Sequence, residues 1–425
     1  MAITRQILRE VMLDNQKDIT NLPLLKRDFD LDSFDFLVFV GVRRCGKSFL
    51  LYQKIQSMLA QGHTWADMLY IDFEDIRLEG FSQEDFNLIL ECHQEMYGCR
   101  PMLFLDEIQN IPGWDKFARN LADRKYKAFL TGSNAKMLSK DVMSTLGGRY
   151  VPVEVYPFNF KEYLTFKQIP FDEMALSATE TRAAFYAAYE TFFRWGGIPE
   201  AVNTGIKRNY LTSLLQKIYI GDIVQRNRIS NEKALQLMIK KITEGIMHPI
   251  SYNRLANVLS GISGKISVPT VSSYVSATED AWLVLRLRNI ASSFSEKESI
   301  CKYYLIDNGL ISLQMLNPDT VLLENSVALS LFRKYGHDLD SERVWFYSDG
   351  IEVDFYVPED ELAIQVAYSI SNDDTREREL SGLRKLPKVH PCSRRVIITY
   401  DEQLKLSDTL GDIEVIPFWK WELGL

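Results

Sequence analysis

Gly41-Val42-Arg43-Arg44-Cys45-Gly46-Lys47-Ser48 lies between a nearly continuous apolar run, Phe34 to Val40, and a stretch of helical period that begins at Phe49-Leu50-Leu51-Tyr52. The segment matches G-x-x-x-x-G-K-[ST] at every defined position, and a buried strand before it with a helix after it is the context that the pattern requires. Its physical demand is narrow. Gly41 and Gly46 let backbone N–H groups curl around phosphates, Lys47 offsets phosphate charge, and Ser48 offers a hydroxyl to Mg²⁺ at the positive end of the following helix. The expected ATP contacts are therefore Gly41, Val42, Arg43, Arg44, Cys45, Gly46, Lys47, Ser48 and Phe49.

The same alternation continues along the chain. Met68 to Ile71, Met102 to Leu105 and Ala128 to Leu130 read as short buried strands, with helices expected over Asp85 to Tyr97 and Trp114 to Arg124. A further strand is expected over Tyr150 to Val155. Strands alternating with helices predict a doubly wound parallel sheet of the α/β class. Leu103-Phe104-Leu105-Asp106-Glu107 then delivers two carboxylates at a strand's carboxyl end, where ligands bind in such sheets. Asp106 is expected to hold Mg²⁺, and Glu107 to orient and polarise the water that attacks the γ-phosphate. Thr131-Gly132-Ser133-Asn134 follows the next strand, so Ser133 or Asn134 is a candidate γ-phosphate sensor, with a helix N-cap as the alternative. Arg149 is a candidate arginine finger acting in trans in a homo-oligomer, against the simpler reading of a surface arginine. Asp72 and Glu74 also leave a strand end, without an assigned role.

At 425 residues the chain exceeds one ordinary core, and 46% hydrophobic with 25% charged residues is the balance of packed domains. A net charge of −8 argues against a protein that coats nucleic acid, although a local basic face remains open. Five scattered cysteines form neither zinc pairs nor a disulfide scaffold, and no apolar stretch reaches the ~20 residues of a membrane span. A cytoplasmic protein without membrane partners is expected. We divide it into a P-loop core with an N-terminal helix (1–157), a helical lid (158–245), a winged helix (246–310) and a small α/β domain (311–425). The winged helix rests on helices over Tyr252 to Leu259 and Pro269 to Asp280, followed by strands over Trp282 to Leu285 and Tyr303 to Ile306. In the last part, strands are expected over Val344 to Tyr347, Ile351 to Val357, Leu362 to Tyr368 and Arg395 to Tyr400.

With its Walker A loop, the Leu-Phe-Leu-Asp-Glu strand and the Thr-Gly-Ser-Asn segment, the first 155 or so residues resemble the AAA+ class of P-loop ATPases. The whole chain resembles the prokaryotic ATPases that join such a domain to a winged helix and a C-terminal restriction-endonuclease-like domain. Gly41 to Ser48, Leu103 to Gln109, Leu146 to Arg149, Gly196 to Glu200 and Tyr304 to Leu310 carry that likeness. The resemblance implies the sheet order 5-1-4-3-2. It also implies that Pro199, in Gly196-Gly197-Ile198-Pro199, contacts the adenine base, whereas turn chemistry alone explains the same residues.

The second helix of the winged-helix stretch has no Lys or Arg and ends in Glu279-Asp280; Arg254, Lys265, Arg286 and Arg288 supply positive charge nearby. Duplex DNA and a protein partner are both open. Glu324, Asp354 and Gln365-Val366-Ala367 resemble the spacing of a PD-(D/E)xK nuclease, with Gln365 for the expected Glu and Ala367 for the expected Lys. Since that chemistry needs carboxylates for Mg²⁺ and a lysine for the water, a degenerate, inactive nuclease fold is expected. The functional expectation is an ATP-hydrolysing protein that switches its C-terminal modules. A nucleotide-gated DNA-binding regulator and an ATP-gated nuclease are the alternatives.

Overall fold

The computed structural model describes residues 3–138, 140–337 and 343–425. The chain divides into two compact units, Met1–Val155 and Tyr156–Leu425.

In the first unit, helix α1 (Arg5–Thr20) precedes β1 (Phe36–Val40), α2 (Lys47–Ala60), β2 (Met68–Asp72), α3 (Phe86–Tyr97), β3 (Met102–Asp106), α4 (Trp114–Asp123), β4 (Ala128–Gly132), α5 (Lys140–Leu146) and β5 (Val151–Glu154). The five strands are all parallel, in the order β2-β3-β4-β1-β5, which is 5-1-4-3-2 read from the other edge. Leu37 to Val40 and Leu103 to Leu105 are fully buried, as the apolar runs require of strands covered on both faces. Phe104 stacks on Phe129 across β3 and β4 with centroids 5.2 Å apart. Register pairs Asp72 with Asp106 and Val40 with Gly132. The loops after β1, β2, β3 and β4 therefore open on one edge of the sheet.

The second unit begins with α6 (Phe160–Phe166), α7 (Glu173–Ser177), α8 (Thr179–Trp195), α9 (Pro199–Asn203), α10 (Lys207–Lys217), a π-helical stretch (Ile218–Gln225) and α11 (Glu232–Glu244). Then come β6 (Ile250–Ser251), α12 (Tyr252–Ser263), α13 (Val268–Asp280), β7 (Val284–Arg288), α14 (Phe294–Ser299) and β8 (Ile300–Leu305), the strands forming an antiparallel sheet of order β6-β8-β7. After α15 (Asn308–Ser312) and α16 (Asp319–Tyr335), β9 (Trp345–Ser348), β10 (Glu352–Val357), β11 (Leu362–Val366), α17 (Asp373–Lys385), β12 (Arg394–Thr399), β13 (Leu404–Leu406), β14 (Ile413–Pro417) and α18 (Phe418–Leu423) complete the chain. The last six strands form a mixed sheet of order β13-β14-β12-β11-β10-β9. The sequence reading stops at Tyr400; β13, β14 and α18 are additions, and β13 is too short and exposed to carry a periodic signal.

One carboxylate ties distant parts of this unit together. Asp307 accepts hydrogen bonds from the Gly197 N–H at 2.7 Å and, as N-cap of α15, from the Gly309 N–H at 2.8 Å. Its approach leaves no room at Gly196, where a Cβ would stand 1.9 Å from Asp307 Oδ1, or at Gly197, where it would stand 2.0 Å from the Phe158 carbonyl oxygen. Next to it, Asn308 donates to the Phe193 and Leu322 carbonyls and to Ser326. Pro199 occupies the first turn of α9, where its missing N–H costs no helical bond. Asp307→Asn sets an amide NH₂ against one of the two backbone donors and is expected to destabilise the second unit by about 1–3 kcal/mol. An unchanged denaturation midpoint would show that the carboxylate is not a tie.

Candidate functional site

The chain turns sharply after β1 because Gly41 packs against the end of β5: a Cβ there would lie 2.1 Å from the Val155 carbonyl oxygen. At the other end of the loop Gly46 has φ 100°, a left-handed conformation that suits glycine, and α2 starts at Lys47. Arg27, buried and from the irregular segment ahead of β1, donates to the Cys45 carbonyl at 3.1 Å and so braces the loop from below. Cys45 is buried, and burial pushes its thiol up, so it is a packing residue rather than a reactive one. Phe49 is half exposed on α2. Lys47 is buried, with its ammonium donating to the Gly41 and Val42 carbonyls at 3.2 and 3.1 Å and standing 3.6 Å from Glu107 Oε1.

Asp106 and Glu107, consecutive at the end of β3, are shifted in opposite directions. Burial and the neighbouring Glu107 raise the Asp106 carboxyl, against hydrogen bonds from Thr131, Ser48 and Tyr70; the Tyr70 hydroxyl lies 2.7 Å from Oδ2. At Glu107, burial is more than offset by Lys47, Gln109, Arg43 and Ser133, which hold the carboxyl below its ordinary range. Glu107 takes a left-handed conformation, φ 49°, while its N–H donates to Thr131 Oγ1 at 2.8 Å. Gln109 then bridges Glu107 Oε2 and Ser133 Oγ at 2.5 and 3.3 Å.

The structure thus brings Lys47, Ser48, Asp106, Glu107 and Ser133 together at one sheet edge. Asn134 is turned to local work, its Oδ1 capping the next turn through the Lys136 N–H at 2.9 Å. Arg149 lies at the other edge: it precedes β5, whose first residue pairs with Leu37, and it bonds Asp123. The length of β1, roughly 13 Å, separates that edge from the loop. Pro199 belongs to the second unit. The sequence reading missed Arg27, Tyr70, Gln109 and Thr131. Tyr70 and Thr131 alone left a trace, as hydroxyls within buried strands.

The cluster fits a phosphate chain with Mg²⁺. Its loop has no space for a side chain at Gly41, and its buried Gln109 Oε1 has no hydrogen-bond partner. Ser48 and Asp106 are the residues that would hold the ion. No group of three or more His, Cys, Asp or Glu side chains suited to a metal occurs among the described residues.

Two other readings change with the structure. Arg286 and Arg288, counted as positive charge beside the second helix, are held internally: Arg286 Nε is 2.9 Å from Glu279 Oε1 and Arg288 Nη2 3.0 Å from Glu298 Oε1, with about a tenth of each side chain exposed. They are structural ion pairs. Glu324 and Asp354, read in a nuclease-like spacing, both contact the ammonium of Lys302 in β8.

Asp72 offers a test of this edge. Burial, then the facing Asp106, pushes its carboxyl up to about 7. A carboxyl raised on folding binds its proton more tightly in the native state, so its contribution to stability falls as pH rises from the unfolded value near 3.8 through 7. Asp72→Asn, which retains the oxygen that accepts from the Glu74 N–H, is expected to raise the melting temperature by a few degrees at pH 8 in EDTA and to change it little at pH 5. Equal effects at both pH values would contradict the assignment.

A family described as "AAA domain" matches residues 33–164, and a domain of unknown function, DUF8612, matches residues 186–320. The Methanocaldococcus jannaschii protein MJ1544, itself uncharacterized, is 33% identical over 99% of this chain and 96% of its own length. An uncharacterized Haemophilus influenzae protein is 28% identical over 92% of this chain and 94% of its own. Among solved structures, the Aeropyrum pernix ORC1 protein in complex with DNA covers 78% of this chain and 95% of its own at 14% identity, with a TM-score of 0.28. No helix among the described residues is long and apolar enough to cross a membrane. The near full-length match at 33% identity, together with the AAA domain and its P-loop, shows that the chain belongs to the family of the Methanocaldococcus protein, built on an AAA+-type nucleotide-binding domain.

Proposed function

We propose that the protein is an Mg²⁺-dependent ATP hydrolase whose nucleotide state switches the modules that follow its P-loop domain. The observation that carries this reading is the set of buried Lys47, Asp106 and Glu107, with partly buried Ser48 beside them, at the carboxyl edge of a five-stranded parallel sheet. Gly41 to Phe49 cradle the phosphates, Lys47 exchanging its hold on the Gly41 and Val42 carbonyls for the β- and γ-phosphate oxygens. Ser48 and Asp106 hold the ion. Mg²⁺, when bound, neutralises charge that develops on the phosphate oxygens. Glu107, held ionised by Lys47, Gln109 and Ser133, orients the attacking water and takes up its proton at a carboxylate oxygen. Ser133 reports the γ-phosphate through Gln109, and Arg149 acts in trans if copies assemble.

Within the second unit we retain the finer division into a helical lid (158–245), a winged helix (246–310) and a degenerate nuclease-like domain (311–425). Protein partners suit it better than duplex DNA. The second helix, α13, carries no Lys or Arg, and Arg286 and Arg288 are already occupied by carboxylates.

Lys47→Ala is expected to abolish binding of a fluorescent ATP analogue. Glu107→Gln should bind it as the wild type does while losing about 10²–10⁴-fold in turnover. Steady-state phosphate release and equilibrium binding on the same preparations separate the two. Wild-type rates of hydrolysis in both variants would overturn the reading.

A further inference from the structure

Among the described residues of the second unit, Lys302 is the most thoroughly buried charge. It stands in β8 among Cys301, Tyr303, Tyr304 and Leu305, with no part of its side chain exposed, and its ammonium lies 3.1 Å from Glu324 Oε1 and 2.9 Å from Asp354 Oδ1. The three residues come from separate elements: strand β8, helix α16 and strand β10. Tyr304 adds a hydroxyl to Glu324 Oε1 at 2.9 Å.

Other polar atoms beside the ammonium are tied within the chain. Asp354 Oδ2 accepts from the Val366 N–H at 3.0 Å. Gln365, the residue in the position of an expected carboxylate, accepts from the Asp354 N–H at 2.8 Å and donates to the Glu352 carbonyl at 3.3 Å. Above it, α17 closes in at Gly382, where a Cβ would lie 2.3 Å from the Glu352 carbonyl oxygen. Two carboxylates brought together under cover require a cation between them, because either alone would carry an uncompensated buried charge. Two chemical kinds of cation meet that requirement, a divalent metal or an ammonium. Only one of them fits the space that Lys302 fills.

We propose that Glu324 and Asp354 form a cation site whose permanent occupant is the Lys302 ammonium, so that this site excludes divalent metal, and that neutralising Lys302 converts it into a divalent-cation site. The occupant is covalently part of the chain. It joins β8 of the helix–strand region to α16 and β10 of the final domain, so the site serves as an internal fastening and not as a place where a phosphodiester or any other substrate meets a metal. This inference does not depend on ATP hydrolysis by the first unit.

The test uses the full chain with Asp106→Asn as a common background, which removes the expected metal position at the P-loop, and Mn²⁺ as the probe, followed by electron paramagnetic resonance without nucleotide. With Lys302 present, no Mn²⁺ binding that depends on Asp354 is expected. Lys302→Ala should gain a single bound Mn²⁺, lost again when Asp354→Ala is added. Asp354-dependent binding in the presence of Lys302 would overturn the proposal, as would a folded Lys302→Ala protein that binds none. Should that variant not fold, acylation of native wild-type lysines decides: Lys302 should remain unmodified while exposed Lys334 and Lys405 react. Reaction of Lys302 at the rate of Lys405 would show that its ammonium is not locked in place.

Discussion

A buried ammonium at the mouth of a parallel sheet sets the terms for the first unit. Lys47 has almost no exposure, and what makes its charge tolerable is the pair of loop carbonyls beneath it and Glu107 at 3.6 Å. Remove that charge and Glu107 would join Asp106 as a second uncompensated acid at the same edge. The surrounding polar groups divide accordingly: Thr131, Ser48 and Tyr70 converge on Asp106, whereas Gln109 and Ser133 support Glu107. Asp72 stands outside this compensation, which is why burial lifts it so far. Geometry and electrostatics are one problem here, because the parallel register that aligns Asp72 with Asp106 also creates the concentration of negative charge that Lys47 meets.

The central part of this site is legible in the sequence because each member sits at a fixed offset from a strand. Gly41 ends the apolar run of β1, Asp106 ends that of β3 and Ser133 follows β4, so alternation of strand and helix is enough to collect them on one edge. The same logic reaches the sheet order only through family resemblance, since local period says nothing about which strands are neighbours. Arg27 is illegible for a different reason: it lies in irregular backbone, and its value comes from a carbonyl eighteen positions away. Gln109 is likewise silent, since a polar residue two positions past a strand end is ordinary on any surface.

In the second unit the sequence reading errs where it treats charge as belonging to its own segment. Arg286 looks like surface charge next to a helix, yet its partner Glu279 turns it inward. Lys302 finds its partners in other elements as well, Glu324 in α16 and Asp354 in β10, 52 residues further along the chain. Gly196-Gly197 and Asp307 show the same lesson from the side of packing. The family resemblance implies a base contact at Pro199 beside these glycines, whereas the glycines themselves answer to the close approach of Asp307 and of the Phe158 backbone.

That Asp307 contact also bears on how the chain is made. Gly197 and Asp307 are 110 residues apart, so at a synthesis rate of about 5–20 residues per second the end of α8 and the start of α9 wait on the order of 5–20 s before their partner has been polymerised. Throughout that interval the aromatic side chains of α6 and α8, among them Phe160, Phe185, Tyr189 and Phe192, lack the surfaces contributed by α15, α16 and α18. A nascent chain that pauses between these positions presents an aromatic helical hairpin to its surroundings or to a chaperone. The spacing of a single carboxylate from its two glycines thus sets a minimum time during which the aromatic faces of α6 and α8 must be kept from aggregating.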